Sequence, residues 1–258
     1  YKYMKGFFTA IIILFILLFV TLIIKNKNIS RFENLALSSH PKNKFMNEKL
    51  HFITYGDEKF EKTKKRIYEE AVNSKWFYSI NCYGREDLTP SFSKEFENIL
   101  SMKRGGGYWI WKFDIILKNL QKIDYGDFLI YLDSGCTINK NGRKQLEQYI
   151  DMIKNNKYKI ISFEINGFKE QVWTTQQIFD AFDIKENDPI KTSGIYVGGI
   201  LIMQKCDNII NLFKDCLNKI RKDNLIITDH YNKNQKKYFV DNRHDQSILS
   251  VARKKNEK

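Results

Sequence analysis

The residue type and spacing best suited to chemistry occur where an apolar run ends. In DFLIYLDSG (127–135), Asp133 follows the run FLIYL, and Ser134 and Gly135 come next. A carboxylate at the end of a buried strand is costly unless a metal ion, a lysine or arginine, or backbone amides meet it. The small residues after it allow a ligand to approach the backbone. The alternative is that Asp133 only stabilises a turn before the next element.

A metal ion at this position would be a hard divalent cation. Such ions prefer oxygen ligands, and Mg²⁺ is often held by one or two carboxylates together with substrate phosphates. A second donor is then expected elsewhere in the chain. His244 and Asp245, in the tail sequence RHDQS, are the best candidates. His244 can equally be a structural histidine whose ring nitrogens are satisfied inside the fold.

The second unusual stretch is RGGGYWIWKF (104–113). It is not a dinucleotide fingerprint, because GxGxxG spacing is absent and no predicted strand leads into it. It is not a P-loop either, because no GK[ST] closes it. The run instead predicts a flexible turn before a helix. Successive helix positions point in directions about 100° apart, so Trp109 and Trp111 cannot both face one ligand, and one of them is expected in the core.

Alternating strands and helices are predicted to position these residues. The predicted strands are 50–56, 76–84, 127–135, 158–165 and 193–204. The predicted helices are 57–74, 91–102, 108–123, 142–156, 174–184, 206–222 and a last one from about Asp245. Because the strands are nearly all apolar, we expect an α/β fold with a mostly parallel sheet flanked by helices. Ligands of such sheets bind at the carboxyl ends of the strands, where 54–57, 133–135 and 243–246 would meet.

The net charge and the residue composition restrict the classes of partner that this protein is expected to bind. The formal net charge of the 258 residues is +13, which suits an anionic membrane surface, a phosphorylated substrate, or lysines that only solvate helices. No run of four basic residues and no nucleic-acid-binding motif occurs, so nucleic acid is not expected as a partner. The four cysteines lack two-residue spacing, which leaves one or two disulfides or buried free thiols as alternatives.

The amino-terminal region contains an uncharged apolar stretch, GFFTAIIILFILLFVTLII (6–24). As a helix it would span roughly 28 Å, which matches the hydrocarbon core of a bilayer. It lacks the shorter apolar run and the small-residue cleavage site of a signal peptide. We predict a flank at 1–5, a transmembrane signal anchor at 6–24, a polar stem at 25–48 and a globular domain at 49–258. Basic residues flank the anchor on both sides, so its orientation is not predicted.

These motifs together resemble glycosyltransferases of the GT-A fold. The likeness rests on RGGGYWIWK, IYLDSGC, SGIYVGGILIMQKCDNIINLF and RHDQSILS, and it covers roughly residues 50–254. It is greatest to capsular and cell-surface glycan transferases that carry YxDSGC. In that family an Asp-x-Asp signature at the end of a central strand holds a divalent cation on the diphosphate of a nucleotide sugar. Asp133 matches the first aspartate, and Gly135 stands where the second would be.

The resemblance implies a role for each candidate residue. Those expected to contact the donor, a UDP-linked sugar, are Thr54, Tyr55, Gly56, Arg104, Lys112, Gly198 and Gly199. Tyr55 would stack on the base, and Arg104 and Lys112 would face the diphosphate or the sugar. Asp133 would contact the ribose, the metal or both, and His244 would complete the site of a Mn²⁺ or Mg²⁺ ion. Asp245, like His244, would complete that metal site or act on the acceptor, a glycan or glycoconjugate, and Glu164 and Trp173 would contact this acceptor.

The reaction type constrains these roles only partly. Sugar transfer requires stabilisation of the diphosphate leaving group by a metal or by Lys/Arg. An inverting enzyme also needs a carboxylate base, for which Asp245 and Glu164 are candidates, whereas a retaining one need not have it.

The expected location and the competing functions follow from the anchor and the resemblance. The protein would be single-pass, type II in the Golgi or endoplasmic reticulum of a eukaryote, and otherwise in a bacterial inner membrane or viral. One alternative function is a catalytically inactive module that binds nucleotide sugars or glycans on the same fold. A nucleotidyltransferase would carry a glycine-rich basic loop after the first strand, where TYGDEKFEK has one glycine.

Overall fold

The computed structural model describes residues 48–257 and shows an α/β fold. The strands are β1 Leu50–Tyr55, β2 Ser79–Tyr83, β3 Phe128–Leu132, β4 Ile160–Ile161, β5 Glu164–Lys169, β6 Gly194–Tyr196 and β7 Ile200–Gln204. The helices are α1 Glu61–Ser74, α2 Pro90–Glu95, α3 Glu97–Leu100, α4 Trp111–Lys122, α5 Arg143–Lys154, α6 Glu170–Trp173, α7 Gln176–Ala181, α8 Asp207–Lys222 and α9 Asp245–Asn256. Short 3-10 turns occupy Glu58–Phe60, Arg85–Asp87, Pro189–Thr192, Asn224–Ile227 and His230–Asn234.

The central sheet has five strands in the order β2-β1-β3-β7-β4. β1 is parallel to both β2 and β3, whereas β7 is antiparallel to β3 and to β4. A single reversed strand therefore interrupts an otherwise parallel sheet, which confirms the predicted mostly parallel α/β fold. The reversal places the first residue of β7, Ile200, opposite Leu132 at the end of β3. The segment that precedes β7 thus lies at the carboxyl edge of β3.

Helices cover both faces of the sheet because alternate residues of the central strands point to opposite sides. Ile53 of β1 and Tyr131 of β3 pack with α4, α8 and α9 in one core. Phe52 and Ile130 pack with α1 and α5 in the other. Burial on both faces explains the nearly continuous apolar runs of β1 and β3.

Several predicted elements are divided in the structure. The predicted helix 91–102 is interrupted at Phe96, between α2 and α3. The predicted strand 158–165 yields only the two residues of β4 and the first residues of β5, which pairs with β6 in a separate two-stranded sheet. The predicted strand 193–204 is two strands, β6 and β7, in different sheets. The predicted helix 108–123 begins only at Trp111.

The glycine run adopts an unexpected conformation. Gly105 to Trp109 all have positive φ, between 52° and 97°, so this turn is left-handed. Its backbone N–H groups donate within the turn, for example Tyr108 N to Arg104 O at 2.7 Å and Trp109 N to Gly105 O at 3.2 Å. Such a conformation is routine for glycine and costly for other L-residues, which accounts for three glycines in a row. The predicted flexible turn is thus a hydrogen-bonded one.

The membrane prediction concerns residues that lie outside the described part of the chain. The anchor at 6–24 and nearly all of the stem precede residue 48. Within 48–257, no helix combines the length and the apolar character needed to cross a bilayer. Cys82, Cys136, Cys206 and Cys216 are all free thiols, so the alternative without disulfides is the one observed.

Candidate active site

Asp133 lies at the carboxyl edge of the sheet, directly after β3. Its N–H donates to Gly199 O at 2.9 Å, and the hydroxyl of Tyr131 donates to its Oδ1. Lys112 Nζ lies 3.6 Å from the same Oδ1. The side chain nevertheless keeps 43% of its surface exposed. One carboxylate oxygen is therefore held by the protein, and the group remains open to a ligand.

Lys112 extends from α4 into a buried position between two carboxylates. Its Nζ donates to Gly198 O at 3.1 Å and to Asp245 Oδ2, and the Asp133 carboxylate is the third neighbour. Burial disfavours the charged form of Lys112, yet Asp133 and Asp245 outweigh that effect and raise its pKa above the ordinary value. The ammonium group is thus already occupied by protein acceptors.

Asp245 is the first residue of α9 and is only 4% exposed. Burial raises the pKa of Asp245 to about 6, and the nearby charge of Asp133 acts in the same direction, while Lys112 opposes both. Asp245 therefore faces Lys112 rather than solvent. The expectation that it acts as a base on an acceptor is not supported by this placement.

The Gly198–Gly199 pair allows three chain segments to meet at this edge. A Cβ on Gly199 would lie 2.5 Å from Asp133 Oδ2, and one on Gly198 would lie 2.8 Å from Gln246 Cβ. Neither position can carry a side chain without displacing its neighbour. These glycines were expected to contact a donor sugar, and the structure places them against Asp133 and the start of α9.

The residues at the end of β1 are more buried than the resemblance implied. Thr54 is fully buried, and its Oγ1 has no hydrogen-bond partner among the described residues. Tyr55 stacks on Trp111 with the ring centroids 3.7 Å apart. Gly56 N donates to Tyr83 O at 3.1 Å, and its carbonyl accepts from Lys64 Nζ at 2.9 Å. Trp111 covers one face of the Tyr55 ring and only 6% of Tyr55 is exposed, so this placement does not support the expectation that Tyr55 stacks on a base.

Arg104 and His244 converge on Asp229 instead of on Asp133. The Arg104 guanidinium donates to Asp229 at 2.8 Å and to Asp241 at 2.8 Å. His244 Nε2 is hydrogen bonded with Asp229 Oδ1 at 2.9 Å, and the Tyr108 hydroxyl donates to Asp229 Oδ2 at 3.1 Å. His244 is buried, and desolvation lowers its pKa despite the neighbouring carboxylate. Arg104 therefore does not converge with Lys112, and His244 is paired with Asp229 rather than directed at Asp133.

The side chains around Asp133 do not by themselves form a complete set of metal ligands. Within residues 48–257 there is no group of three His, Cys, Asp or Glu side chains arranged to hold an ion. Asp245 is paired with Lys112, and His244 with Asp229. The exposed carboxylate of Asp133 fits a cation that arrives on a diphosphate, because Mg²⁺ can be held by one carboxylate and substrate phosphates.

Glu164 lies outside this cluster. It is exposed at the start of β5, and its Oε1 accepts from Gly194 N at 2.8 Å. Glu164 therefore supports the two-stranded sheet, and its expected action on the acceptor is not supported by this contact.

Sequence reasoning missed Arg66, which positions the Asp133 loop. From α1 it donates to the carbonyls of Ser134 at 3.2 Å and Cys136 at 2.9 Å, and to Thr137 Oγ1 at 2.8 Å. Arg66 sits in the helical sequence KTKKR, where nothing distinguishes it from a solvated basic residue. Asp229 and Asp241 were missed for the same reason, since both stand in a tail without periodicity.

No family model, no curated protein and no solved structure matches this chain. The geometry of the site therefore carries the functional conclusion. A cavity of about 440 Å³ among the described residues lies away from Asp133. It is lined by the first turns of α8, the last turn of α9 and residues 157–160.

Proposed function

We propose that this protein is a membrane-anchored glycosyltransferase, which moves a sugar from a nucleoside diphosphate sugar to a glycan or glycoconjugate acceptor. The observation that carries the proposal is the partly exposed Asp133 carboxylate at the carboxyl edge of a mostly parallel sheet. Ligands of such sheets bind at this edge. The GT-A character of the fold, the UDP-linked donor and the anchor at 6–24 belong to the same proposal.

Asp133 has the central role in this proposal. Tyr131 and Lys112 fix its Oδ1, so the carboxylate is oriented before a ligand arrives. It would accept hydrogen bonds from donor hydroxyls, and its open side would meet a Mn²⁺ or Mg²⁺ ion carried by the diphosphate. That ion, when bound, supplies positive charge for the leaving group.

Lys112 and Asp245 act behind Asp133 in this scheme. The Lys112 ammonium lowers the cost of keeping the Asp133 carboxylate charged next to the apolar end of β3. Asp245 and Gly198 O hold the ammonium in place. Both residues are thus positioning residues, and neither is proposed to touch the donor.

The test uses the full chain in detergent, a panel of UDP-linked and other nucleotide sugars, and measurement of nucleoside diphosphate release with and without Mn²⁺. Asp133→Asn keeps the shape of the side chain and removes its charge. We expect it to lower turnover by about 100-fold or more, as for other preorganised electrostatic groups. Asp151→Asn, an exposed position on α5, is the matched control and should leave turnover unchanged.

Two outcomes contradict the proposal. Equal turnover in Asp133→Asn and the wild type would remove Asp133 from the site. Tight binding of nucleotide sugars without any turnover would favour the inactive binding module.

A further inference from the structure

We propose that Arg243, stacked on Trp173 next to the start of α9, is a binding site for an oxyanion of the acceptor, either a carboxylate or a phosphate. The acceptor role rests on the proposed transferase function. The oxyanion site itself rests on the geometry of Arg243 and its neighbours.

The side-chain N–H donors of Arg243 are not used by the described part of the chain. Within residues 48–257 it is the one arginine whose guanidinium donates to no carboxylate, carbonyl or hydroxyl. The others all donate to such groups: Arg66, Arg85, Arg104, Arg143, Arg221 and Arg253. A guanidinium presents five N–H donors in one plane and binds carboxylates and phosphates in a bidentate manner. Arg243 is partly exposed, and its side-chain nitrogens are not among the buried, unpartnered atoms of residues 48–257, so they are accessible to a ligand.

The position of Arg243 is fixed before a ligand binds. Its guanidinium carbon lies 4.1 Å from the ring centroid of Trp173, which is a close cation–π contact. Its backbone N–H donates to Trp173 O at 3.0 Å, and the same carbonyl accepts from Ser247 Oγ at 2.7 Å. Val240 N donates to Val172 O at 2.8 Å, so the segment runs beside α6. A side chain held in this way loses less conformational freedom on binding than a mobile surface arginine does.

No carboxylate of residues 48–257 forms an ion pair with the Arg243 guanidinium. Burial lowers the pKa of Arg243, and Arg104 adds to that effect, while Asp241 opposes it. Asp241 forms no ion pair with Arg243, because its oxygens bind Arg104 and Asn232 at 2.8 Å each. An arginine stays charged at neutral pH, so a partly dehydrated cation is available to an anionic group.

The location suits an acceptor. Arg243 precedes Asp245 by two residues, which limits their Cα separation to about 7.6 Å. Asp245 points to Lys112 and the Asp133 edge, whereas Arg243 points to Trp173. An acidic group bound to Arg243 would therefore lie beside the proposed donor site and not within it.

The experiment measures binding of glucuronate, glucose 6-phosphate and glucose to the full chain in detergent by isothermal titration calorimetry. Glucuronate tests the carboxylate source, glucose 6-phosphate the phosphate source, and glucose is the neutral control. We expect one of the two acids to bind and glucose not to bind. Arg243→Gln should weaken acid binding about tenfold or more, as expected when hydrogen bonds to a charged group are lost.

Controls separate a lost site from a lost fold. Arg143→Gln removes a partly exposed arginine paired with Glu147 on α5 and should bind as the wild type does. Arg243→Lys keeps the charge but not the planar fork, so intermediate binding is expected, and it remains informative if Arg243→Gln unfolds. Absence of binding of both acids, or equal affinity in Arg243→Gln and the wild type, overturns the proposal.

Donor turnover, measured on the same preparations, distinguishes the two proposals. Acid binding that requires Arg243 without any sugar-donor turnover would leave the oxyanion site standing and contradict the transferase. Sugar-donor turnover together with acid binding that is unchanged in Arg243→Gln would support the transferase and contradict the oxyanion site. With an acidic acceptor, Arg243→Gln should raise KM about tenfold and change kcat little, because the group is removed from binding and not from reaction.

Discussion

Lys112 is the residue whose structural role differs most from that of a phosphate-binding lysine. It is buried at 2% exposure between Asp133 and Asp245 and donates to Gly198 O as well. One positive charge thus serves two carboxylates, and the cluster retains one net negative charge. A site of this kind attracts a cation or a hydroxyl, and it does not offer a free ammonium to a diphosphate.

The charge state of Asp245 should make stability depend on pH. Its folded pKa of about 6 lies above the ordinary value of 3.8, so the folded protein binds the proton more tightly. The stability from this group is fully present below about pH 4 and is lost as pH rises toward 6. Relative to Asp245→Asn, the free energy of unfolding of the wild type should fall by about 2 kcal/mol between pH 4 and pH 7.

Urea unfolding at several pH values, followed by circular dichroism, checks this prediction. Asp151→Asn provides the reference for an exposed aspartate. A free-energy difference between wild type and Asp245→Asn that does not vary with pH would show that Asp245 is not protonated more readily in the folded state.

At the scale of elements, the left-handed turn joins α3 to α4 and determines where Arg104 and Lys112 point. Arg104 precedes the turn and reaches Asp229, whereas Lys112 follows it and reaches Asp133. Trp111 is in the core against Tyr55, and Trp109 packs near His244 at 5.3 Å between ring centroids. The glycines therefore separate two basic residues that the sequence had suggested would converge.

Gly106 and Gly107 should not tolerate substitution by alanine equally. A Cβ on Gly107 would lie 2.7 Å from Leu100 Cα, whereas one on Gly106 would meet nothing closer than Asp57 Oδ2 at 3.5 Å. Gly107→Ala should lower the free energy of unfolding by about 3 kcal/mol or more, through overpacking added to the left-handed backbone cost. Gly106→Ala carries only the backbone cost, about 1 kcal/mol.

Chemical denaturation of the two variants measures this difference, and Gly106→Ala is the matched control. Equal destabilisation by the two alanines would mean that close packing on α3 does not explain the requirement for glycine at 107.

At the scale of the whole molecule, the described residues form two cores, one on each side of the sheet. Within residues 48–257 they extend from β1 to α9. The described domain thus has cores of its own, and the predicted anchor at 6–24 is expected to contribute to location.

Removal of residues 1–47 tests that expectation. The shortened chain should appear in the soluble fraction after expression and unfold cooperatively, while the full chain should fractionate with membranes. Retention of the shortened chain in the membrane fraction, or release of the full chain without detergent, would contradict the anchor prediction.

The sequence by itself determined the fold class and the position of Asp133, because both depend on local patterns. Apolar runs such as FLIYL indicate strands that are buried on both faces. Their alternation with helices along the chain indicates a parallel sheet that lies between layers of helices. The Asp133 prediction needed only that a polar residue follow such a run. Helices such as α5 and α8 also begin and end close to their predicted bounds, and α9 begins at its predicted residue, because their apolar periodicity is local.

Only the tertiary structure decided the direction of β7 and the partners of the charged residues. The apolar pattern of a strand does not depend on its direction in the sheet. Gly198 and Gly199 could therefore indicate a bend, but not the reversal of β7 that places them against Asp133. Arg104, Lys112, His244 and Asp245 were each recognised as functional types, yet their partners lie 15 to 137 positions away. Pairing over such separations depends on how the sheet and helices pack, and for that reason the sequence could place Arg243 near the sheet edge but not against Trp173.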